Sequence, residues 1–448
     1  EVRKSTVMTK DEWQELQQGM AAKWPLPDYM NGIKGHMQFK DETFSVVTRW
    51  TEKTKIKYRP HAKAPGSKSH LRYESYSAAK TVGEALKLHC YPADWCWDYE
   101  RGFLKVVGGP IRDEPLDIMK VPEGEVTEVD KRIHAWYKKE LAKKIGIKES
   151  ELSASVAAGE SLHMRGTRLL AQKEAKERLE AADKAGRRIT DEEVLQTLQR
   201  WSFAHNITRQ NVMPEDQDFV FSDTLGLLRD RQGDVHLTGP TRRYPQVAEL
   251  IARWLTERLP PETKDFTFTS MNLNYNYAAR QHRDNGNFGP SFIRAFGDFT
   301  GGELNYWPED NGGSLEKLPQ NKKETLDISD GLVLFNGNCA HSVEAFSGER
   351  YSVVYFTIGS YAGLPAEDKE KMLRLGIPFP KGKEDPFTFL RQPRGYTASA
   401  KNVASPNPAR RGALPPYRQW TPQQLPKKVK KTSSKRKRLQ PENAKSFY

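Results

Sequence analysis

Between residues 205 and 362 the chain alternates apolar runs with breaks rich in glycine, asparagine and aspartate. The runs FTFTSMNLNYNY, SFIRAFGDF, GGELNYW, GLVLFNG and RYSVVYFTIG are bounded by turn residues. That pattern predicts an antiparallel β domain. YPQVAELIARWLTERL, just ahead of them, has helical apolar spacing and predicts a flanking amphipathic helix. Further upstream, ITDEEVLQTLQRW offers Thr190 as an N-cap with Glu193 three residues later, followed by Val194, Leu195, Leu198 and Trp201 at helical spacing. QKEAKERLEAADKAGRR is polar almost all round and reads as an exposed helix or helical spacer.

The pattern divides the chain into four regions. Residues 1–115 form an N-terminal region with a small basic aromatic module at about 50–115. Residues 116–204 form a charged helical linker, 205–362 the β core, and 363–448 a Pro-rich and basic tail expected to be mostly disordered. In the module, SYSAAKTVGEAL reads as a helix start and WCWDYERGFLKVVGGP as a turn, a short apolar element and a stop. Its lysines and arginines are interleaved with Tyr73, Tyr76, Trp95, Trp97 and Tyr99. Two readings follow: the rings stack nucleic-acid bases, or they form a core beneath a solvated basic face. The fold class is α+β.

Charge sharpens the division. Of the formal net charge of +13, Lys401–Tyr448 carries +12, from 13 Lys or Arg against Glu442. The body is therefore close to neutral. PKKVKKTSSKRKR (426–438) reads as a nuclear import signal or a phosphate-binding arm, which points to a nuclear protein, otherwise a cytoplasmic one. Three cysteines in 448 residues argue against a disulfide framework and for a reducing compartment. His89, Cys90 and Cys96 match no zinc spacing. No apolar run approaches the roughly 18 residues of a membrane span, so no membrane partner is expected. The chain opens on Glu1 rather than Met, as a piece of a longer protein would.

The candidate chemistry begins at QHRDNGN. His282 and Asp284 are two apart, so on a strand both face one side. A second imidazole, His341, follows the apolar run Leu332–Phe335. Two His and one carboxylate leave half of an octahedral ion open, which suits non-haem Fe(II) binding a co-substrate and O₂. Arg350 lies nine residues beyond His341, and the intervening SVEAFSGE can form a hairpin that returns Arg350 and Ser352 beside the metal face. Arg350 can grip a carboxylate in two hydrogen bonds, and Ser352 can add a third. Asn272, Asn274 and Asn276 alternate along MNLNYNY and would share one face; Asn274 is the candidate for a co-substrate contact. Arg280, Asn285 and Asn287 flank the metal motif within reach of a substrate, with turn formation as the alternative for Asn285-Gly286. Glu303 and Trp307 are candidates for the cavity entrance, with core packing as the alternative for Trp307.

In this order, His282-x-Asp284, His341 and Arg350-x-Ser352 resemble the Fe(II)/2-oxoglutarate dioxygenases. The stretches GDFTGGEL and DGLVLFNGNCAHSVEAFSGERYSVVYFT are similar to the branch that holds the ten-eleven translocation and base J-type nucleic-acid oxygenases and their algal relatives. The chain lacks the cysteine-rich region of the animal members. The resemblance covers roughly 205–362 and implies a double-stranded β-helix (jelly-roll) core. It also implies Fe(II), 2-oxoglutarate (or ascorbate) and O₂, with hydroxylation of a C–H bond. The expected substrate is a pyrimidine methyl group in DNA. The alternatives are a prolyl or lysyl protein hydroxylase, and a non-catalytic chromatin-binding protein built on an oxygenase-like scaffold.

Overall fold

The computed structural model describes residues 8–33, 38–122, 124–154, 160–230, 232–284, 286–382, 391–392, 396–397 and 400–403. The chain forms two compact units, Glu1–Leu170 and Ala171–Tyr448. No helix among the described residues is long and apolar enough to cross a membrane.

Unit 1 runs α1 (Lys10–Met20), α2 (Asp41–Val47), β1 (Lys55–Tyr58), α3 (Lys68–Tyr76), α4 (Val82–Lys87), α5 (Pro92–Glu100), β2 (Leu104–Gly108), α6 (Glu128–Ile145) and α7 (Glu149–Ala154). The β1–β2 ribbon closes over a core that contains Trp50, Tyr58, Tyr73, Tyr76 and Trp95. This decides between the two readings of the aromatic residues. Tyr73, Tyr76 and Trp95 have no exposed surface, so they are core and cannot stack bases. Trp97 is exposed, and the Arg101 guanidinium covers its ring at 3.3 Å. Two basic residues of the module are also interior, Arg59 and Lys63; Lys63 Nζ pairs with Asp98 at 3.0 Å and donates to the Tyr76 hydroxyl at 2.8 Å. The stretch expected as a turn, WCWDY, is helical, because Pro92 starts α5 and Asp94 accepts the Tyr91 backbone N–H at 3.1 Å.

In unit 2, α8 (Leu162–Ala185, through which the division passes) and α9 (Asp191–Arg200) precede β3 (His205–Asn206), β4 (Val220–Arg229), β5 (Val235–Leu237), α10 (Gly239–Arg243) and α11 (Pro245–Thr256). The strands β6 (Ser270–Tyr275), β7 (Ser291–Phe296), β8 (Phe299–Gly301), β9 (Leu304–Tyr306), β10 (Glu324–Leu326), β11 (Leu332–Phe335), β12 (His341–Val343), β13 (Phe346–Gly348) and β14 (Tyr351–Phe356) follow, then α12 (Ala366–Arg374). The larger sheet has the order β11-β7-β14-β6-β4-β3, all antiparallel, with the strand Ala400–Val403 on the outer edge of β11. The smaller sheet is β10-β9-β12, extended by a bridge between His282 and His341. Leaving β6, the chain visits the smaller sheet at His282, returns for β7, crosses to β9 and β10, and returns for β11. It then crosses to β12 and comes back for β14. The inner faces pack through Ile293, Val333 and Phe335 from one sheet and Leu304, Tyr306 and Leu326 from the other.

The helix α11 covers the outer face of the larger sheet. Its apolar side, from Val247 to Leu255, is buried, and Trp254 sets its edge on Phe296 with centroids 5.1 Å apart. Three sequence expectations change here. First, the stretch read as a polar spacer carries Ala175, Leu179 and Ala182, which with Ala171 just ahead of it form a buried apolar stripe. Alanines add little hydrophobicity, so the stripe hides in a charged sequence. Second, α9 belongs with the sheet rather than with a linker, because Asp191 accepts from Trp254 Nε1 at 2.9 Å and from Arg294 at 3.2 Å. The compact unit therefore starts near residue 171 rather than 205. Third, the region beyond residue 362 holds α12, whose Met372 is buried. The basic segment 426–438 lies outside the described residues.

Candidate active site

Strand parity builds the cavity wall. On β14, Tyr351, Val353 and Tyr355 are buried on one face while Ser352 and Val354, with Arg350 just ahead of the strand, line the other. On β6, Asn272 and Asn274 face the same way as Ser352. Register then sets polar residues side by side across three strands: Ser222 lies opposite Asn274, and Asn274 opposite Ser352. Asn274 Nδ2 donates to Ser352 Oγ at 3.3 Å, and Asn274 Oδ1 accepts from Ser222 at 3.1 Å and from Asn272 at 2.6 Å. The third asparagine departs from expectation. Asn276 has φ 46°, so the strand ends and the alternation breaks. Its Oδ1 accepts the Arg350 backbone N–H at 2.7 Å. Tyr277 thereby enters the cavity, and its hydroxyl donates to Asn274 Oδ1 at 2.6 Å.

The two sheets enclose a cavity of about 1080 Å³, and His282, Asp284 and His341 stand together on its wall. Their ligand atoms all lie within 4.8 Å of one another. His282 Nε2 is 3.5 Å from Asp284 Oδ1, and His341 Nε2 is 3.9 Å from Asp284 Oδ2. The backbone explains the convergence. His282 and His341 exchange N–H···O=C bonds of 2.9 and 3.0 Å, and the Asp284 N–H donates to Gly337 O at 2.8 Å. Each imidazole is also oriented from behind. Nδ1 of His282 donates to Arg280 O at 2.7 Å, and Nδ1 of His341 to Cys339 O at 2.9 Å. Both Nε2 lone pairs are thus left for the cavity. Gly337 keeps the space clear, since a Cβ there would stand 2.9 Å from Asp284 Oδ2.

Burial would raise the Asp284 carboxyl, but hydrogen bonding to His282 and the nearby His341 and Arg209 hold it well below the usual carboxylate range. Burial, with His282 alongside, pushes the His341 imidazole down to about 4. At neutral pH the set is a carboxylate and an uncharged His341, the protonation states that metal ligation requires. The donor set fits a divalent first-row ion: with bonds of about 2.0–2.2 Å, two ligand atoms on one ion stand up to roughly 4.4 Å apart, which accommodates the separations to Asp284.

Arg350 is 2% exposed. Its guanidinium lies over Phe299 and Phe346 at 5.6 and 5.4 Å from the ring centres, and Nη2 donates to Gly302 O at 3.4 Å. Its Nε has no hydrogen-bond partner. Burial pulls the group down to about 10 against the opposing influence of Tyr277 and Glu303, so it remains a cation at neutral pH. A buried cation on a cavity wall, with one of its donors unpaired, is suited to an anionic partner. The connection to His341 differs from the expected hairpin. β12 pairs with β9, and β13 with β8, whereas β14 lies between β6 and β7. Arg350 returns beside the ligands because the chain changes sheets.

Arg209 was not legible as a cavity residue. It precedes β4 in a segment without periodicity, and its Nη1 lies 3.3 to 3.5 Å from Ser222, Asn274 and Tyr277. Its charge reaches both Asp284 and His341. Asp310 is equally hidden in the sequence, in a loop that reads as a turn. It accepts from Arg283 Nε at 2.5 Å and Nη2 at 2.7 Å, and from the Ala340 N–H at 2.7 Å. Of the flanking candidates, Asn287 lines the cavity and donates to Asp284 Oδ2 at 3.3 Å. Arg280 turns its guanidinium to Gln210 O at 2.6 Å, and Trp307 is buried with Nε1 donating to Pro319 O. Asn285 lies outside the described residues. Cys90 and Cys96 are buried and form no ligand group with His89 among the described residues.

Neither a protein-family model nor a curated protein sequence matches the chain. Among solved structures, similarity is found to a 2OG-Fe(II) oxygenase family oxidoreductase from Burkholderia pseudomallei, at 15% identity and a TM-score of 0.26, covering 36% of this chain and 76% of that one. A prolyl hydroxylase from Trichoplax adhaerens, in complex with a hypoxia inducible factor oxygen degradation domain peptide fragment, is similar at 16% identity and a TM-score of 0.23, covering 43% and 80%. TM-scores this low carry no assignment, which rests instead on strand order, register and the site.

Proposed function

We propose that unit 2 is an Fe(II)- and 2-oxoglutarate-dependent oxygenase on a double-stranded β-helix. One observation carries this reading: His282, Asp284 and His341 converge in the same cavity as a buried arginine whose Nε lacks a partner. The repeated crossing of the chain between two antiparallel sheets supports the jelly-roll topology. When bound, iron and 2-oxoglutarate supply the oxidising power: 2-oxoglutarate, O₂ and R–H give succinate, CO₂ and R–OH, with two electrons drawn from the oxo acid and two from the C–H bond.

The protein's part is positioning. His282, Asp284 and His341 hold the ion and leave half its coordination sphere to ligands. Arg350 receives the remote carboxylate through its fork, and Ser352, already accepting from Asn274, has its O–H proton for a second contact. Arg209 adds a positive charge nearer the metal ligands, which suits a dianionic co-substrate better than the monoanion ascorbate. The rings of Phe299 and Phe346 keep water from the guanidinium.

For the substrate we propose a methyl group on a pyrimidine base in DNA, and a nuclear location addressed by segment 426–438. Two features of the cavity support a base. Its rim includes His205, stacked on Phe219 with centroids 4.2 Å apart and flanked by Phe221, a planar shelf of the kind bases stack on. Amides line it, with Asn206, Asn211 and Asn287 able to meet both donors and acceptors of a base edge. An extruded base fits the volume.

The test is anaerobic loading with Fe(II), then admission of O₂ with 2-oxoglutarate and methylated DNA, unmethylated DNA or a peptide pool. The expected result is succinate release and a mass gain of one oxygen on methylated DNA, both abolished in His341→Ala. Product on peptides alone would move the assignment to a protein hydroxylase. Full turnover in His341→Ala would remove the proposed centre.

A further inference from the structure

The β1–β2 ribbon of unit 1 presents an arrangement that the core does not require. In β1, Ile56 and Tyr58 point inward while Lys55 and Lys57 are exposed on the opposite face. The antiparallel register sets Lys57 directly across from Lys105. Like charges opposite one another across a strand pair oppose pairing. A carboxylate paired with either lysine would offset that cost; the nearby Glu52 and Glu84 lie at the Lys53 and Lys80 edge and pair with neither. Among the described residues, Lys55, Lys57 and Lys105 make no ion pair. Glu84 accepts the Lys80 backbone N–H at 2.8 Å, which holds its carboxylate at that edge rather than on the Lys57–Lys105 pair.

The neighbouring turns add to the same field. Gly109, at φ 81°, tucks against the backbone of Lys53 and Lys55, since a Cβ there would lie 2.6 Å from Lys53 O. This packs the exposed Lys53 beside the ribbon. On the other edge of β1, Lys80 O accepts the Ile56 N–H at 2.9 Å, so the exposed Lys80 borders it too. Lys105 is steadied by the Trp24 ring, 4.5 Å from its Nζ. The result is five lysines around one short ribbon.

We propose that this face binds the phosphodiester backbone of a nucleic acid. Charge complementarity selects the partner: closely spaced lysines without internal counter-ions match a polyanion, and ammonium groups on flexible stems neutralise phosphates without demanding sequence. Lysines on strand edges also deter aggregation. That role, however, is met by charges of either sign and does not call for lysine opposite lysine. The surface belongs to unit 1 alone and does not depend on the chemistry proposed for the cavity.

The experiment uses the full chain and its triple variant Lys55→Gln, Lys57→Gln, Lys105→Gln. Binding to a labelled duplex and to a single strand is followed by anisotropy between about 50 and 200 mM salt. Each phosphate neutralised contributes a slope of about −0.9 in log K against log salt on duplex DNA. The triple variant should therefore bind more weakly at low salt, with a slope shallower by about 2.7, whatever the basic tail contributes. Relief of the Lys57–Lys105 repulsion should leave its melting temperature equal or higher. If the triple variant does not fold, Lys57→Gln and Lys105→Gln singly should each lower the slope by about 0.9. An unchanged slope overturns the proposal, as does a loss of binding confined to anionic vesicles.

Discussion

Asp310→Asn is the most informative single change at the centre, because Asp310 touches none of the expected metal ligands. Its carboxylate is fully covered and accepts four hydrogen bonds: two from Arg283, one from the Gly312 N–H and one from the Ala340 N–H. Arg283 lies between His282 and Asp284, and Ala340 immediately precedes His341. One side chain therefore ties together both segments that carry the ligands. Burial alone would raise the Asp310 carboxyl, yet Arg283 and the two backbone donors hold it below its ordinary value. An amide would lose the charge and turn an NH₂ group toward a donor.

Breaking a buried pair costs about 3–5 kcal/mol. The Arg283 side chain retains 15% exposure, so the lower end, about 3 kcal/mol, is the expected loss of stability. Slackening of the support behind metal ligands costs about 10–100-fold in metal affinity, or ~1.4–2.7 kcal/mol. The assay is anaerobic titration with Co(II), read from its ligand-field bands, beside thermal unfolding with and without metal. Ile251→Ala, in α11, is the control: it should cost a comparable 2–5 kcal/mol or so by leaving a cavity, while keeping Co(II) affinity near that of the parent. If Asp310→Asn bound Co(II) within about twofold of the parent (~0.4 kcal/mol), or if Ile251→Ala weakened binding equally, the positioning argument would fail.

Three further outcomes follow from particular contacts. Gly302→Ala puts a Cβ 2.8 Å from Arg350 Nε on a residue with φ 75°; it should raise the KM for 2-oxoglutarate about tenfold or more (~1.4 kcal/mol) and leave Co(II) affinity unchanged, and an unaltered KM would show that the guanidinium does not hold the co-substrate. Arg350→Lys keeps the charge but loses the fork; with about 1.5–3 kcal/mol per charged hydrogen bond, the KM should rise roughly 10- to 100-fold while the metal spectrum stays the same. In unit 1, burial pushes His163, hydrogen-bonded to the Tyr137 hydroxyl at 2.7 Å, down to about 4, against the pull of Asp41. The unfolded chain therefore binds the extra proton between roughly pH 4 and 6.5, so stability rises with pH across that window and levels off above it. Asp98, raised to about 6 chiefly by burial, acts with the opposite sign over an overlapping window. The measurement is accordingly the difference in unfolding free energy between the parent and His163→Gln, and a difference independent of pH would refute the assignment.

How much of this the sequence disclosed depends on the interaction concerned. Parity along a strand is local, so the shared face of Arg350, Ser352 and Val354 could be read directly, as could the capping box at Thr190. Pairing of distant segments is not local. The hairpin expected after His341 would have been the shortest route for Arg350, but nothing in SVEAFSGE reveals that β12 and β14 belong to different sheets. Asn276 illustrates the limit of parity itself: one residue in the left-handed region ends the alternation and exchanges an asparagine for Tyr277 in the cavity. Composition misled in one place and left the matter open in another. An alanine stripe looked like solvated helix in α8, and a cluster of tyrosines and tryptophans in unit 1 read either as a stacking surface or as the core that it is.

Charge inside the cavity constrains what can react there. Arg350, Arg209 and the exposed Arg229 bring three positive charges, and a divalent ion would bring two more. Asp284 and the buried Asp223, which accepts from Trp201 Nε1 at 2.9 Å, supply two negative charges. Arg283 is cancelled by Asp310. The surplus is three positive charges, of which a dicarboxylate co-substrate would neutralise two. The reacting part of the substrate would then enter a cavity with no negative charge to spare and one positive charge at Arg229, bounded by amides, Tyr277 and apolar side chains. Such a site favours an uncharged moiety, a base methyl or a prolyl ring, over a lysyl ammonium, whose desolvation nothing there would offset. In competition, free thymine or a 5-methylpyrimidine nucleoside should slow turnover of methylated DNA while a lysine-rich peptide should not. Inhibition by the peptide that persisted when high salt had removed its attraction to DNA would contradict this accounting of charge.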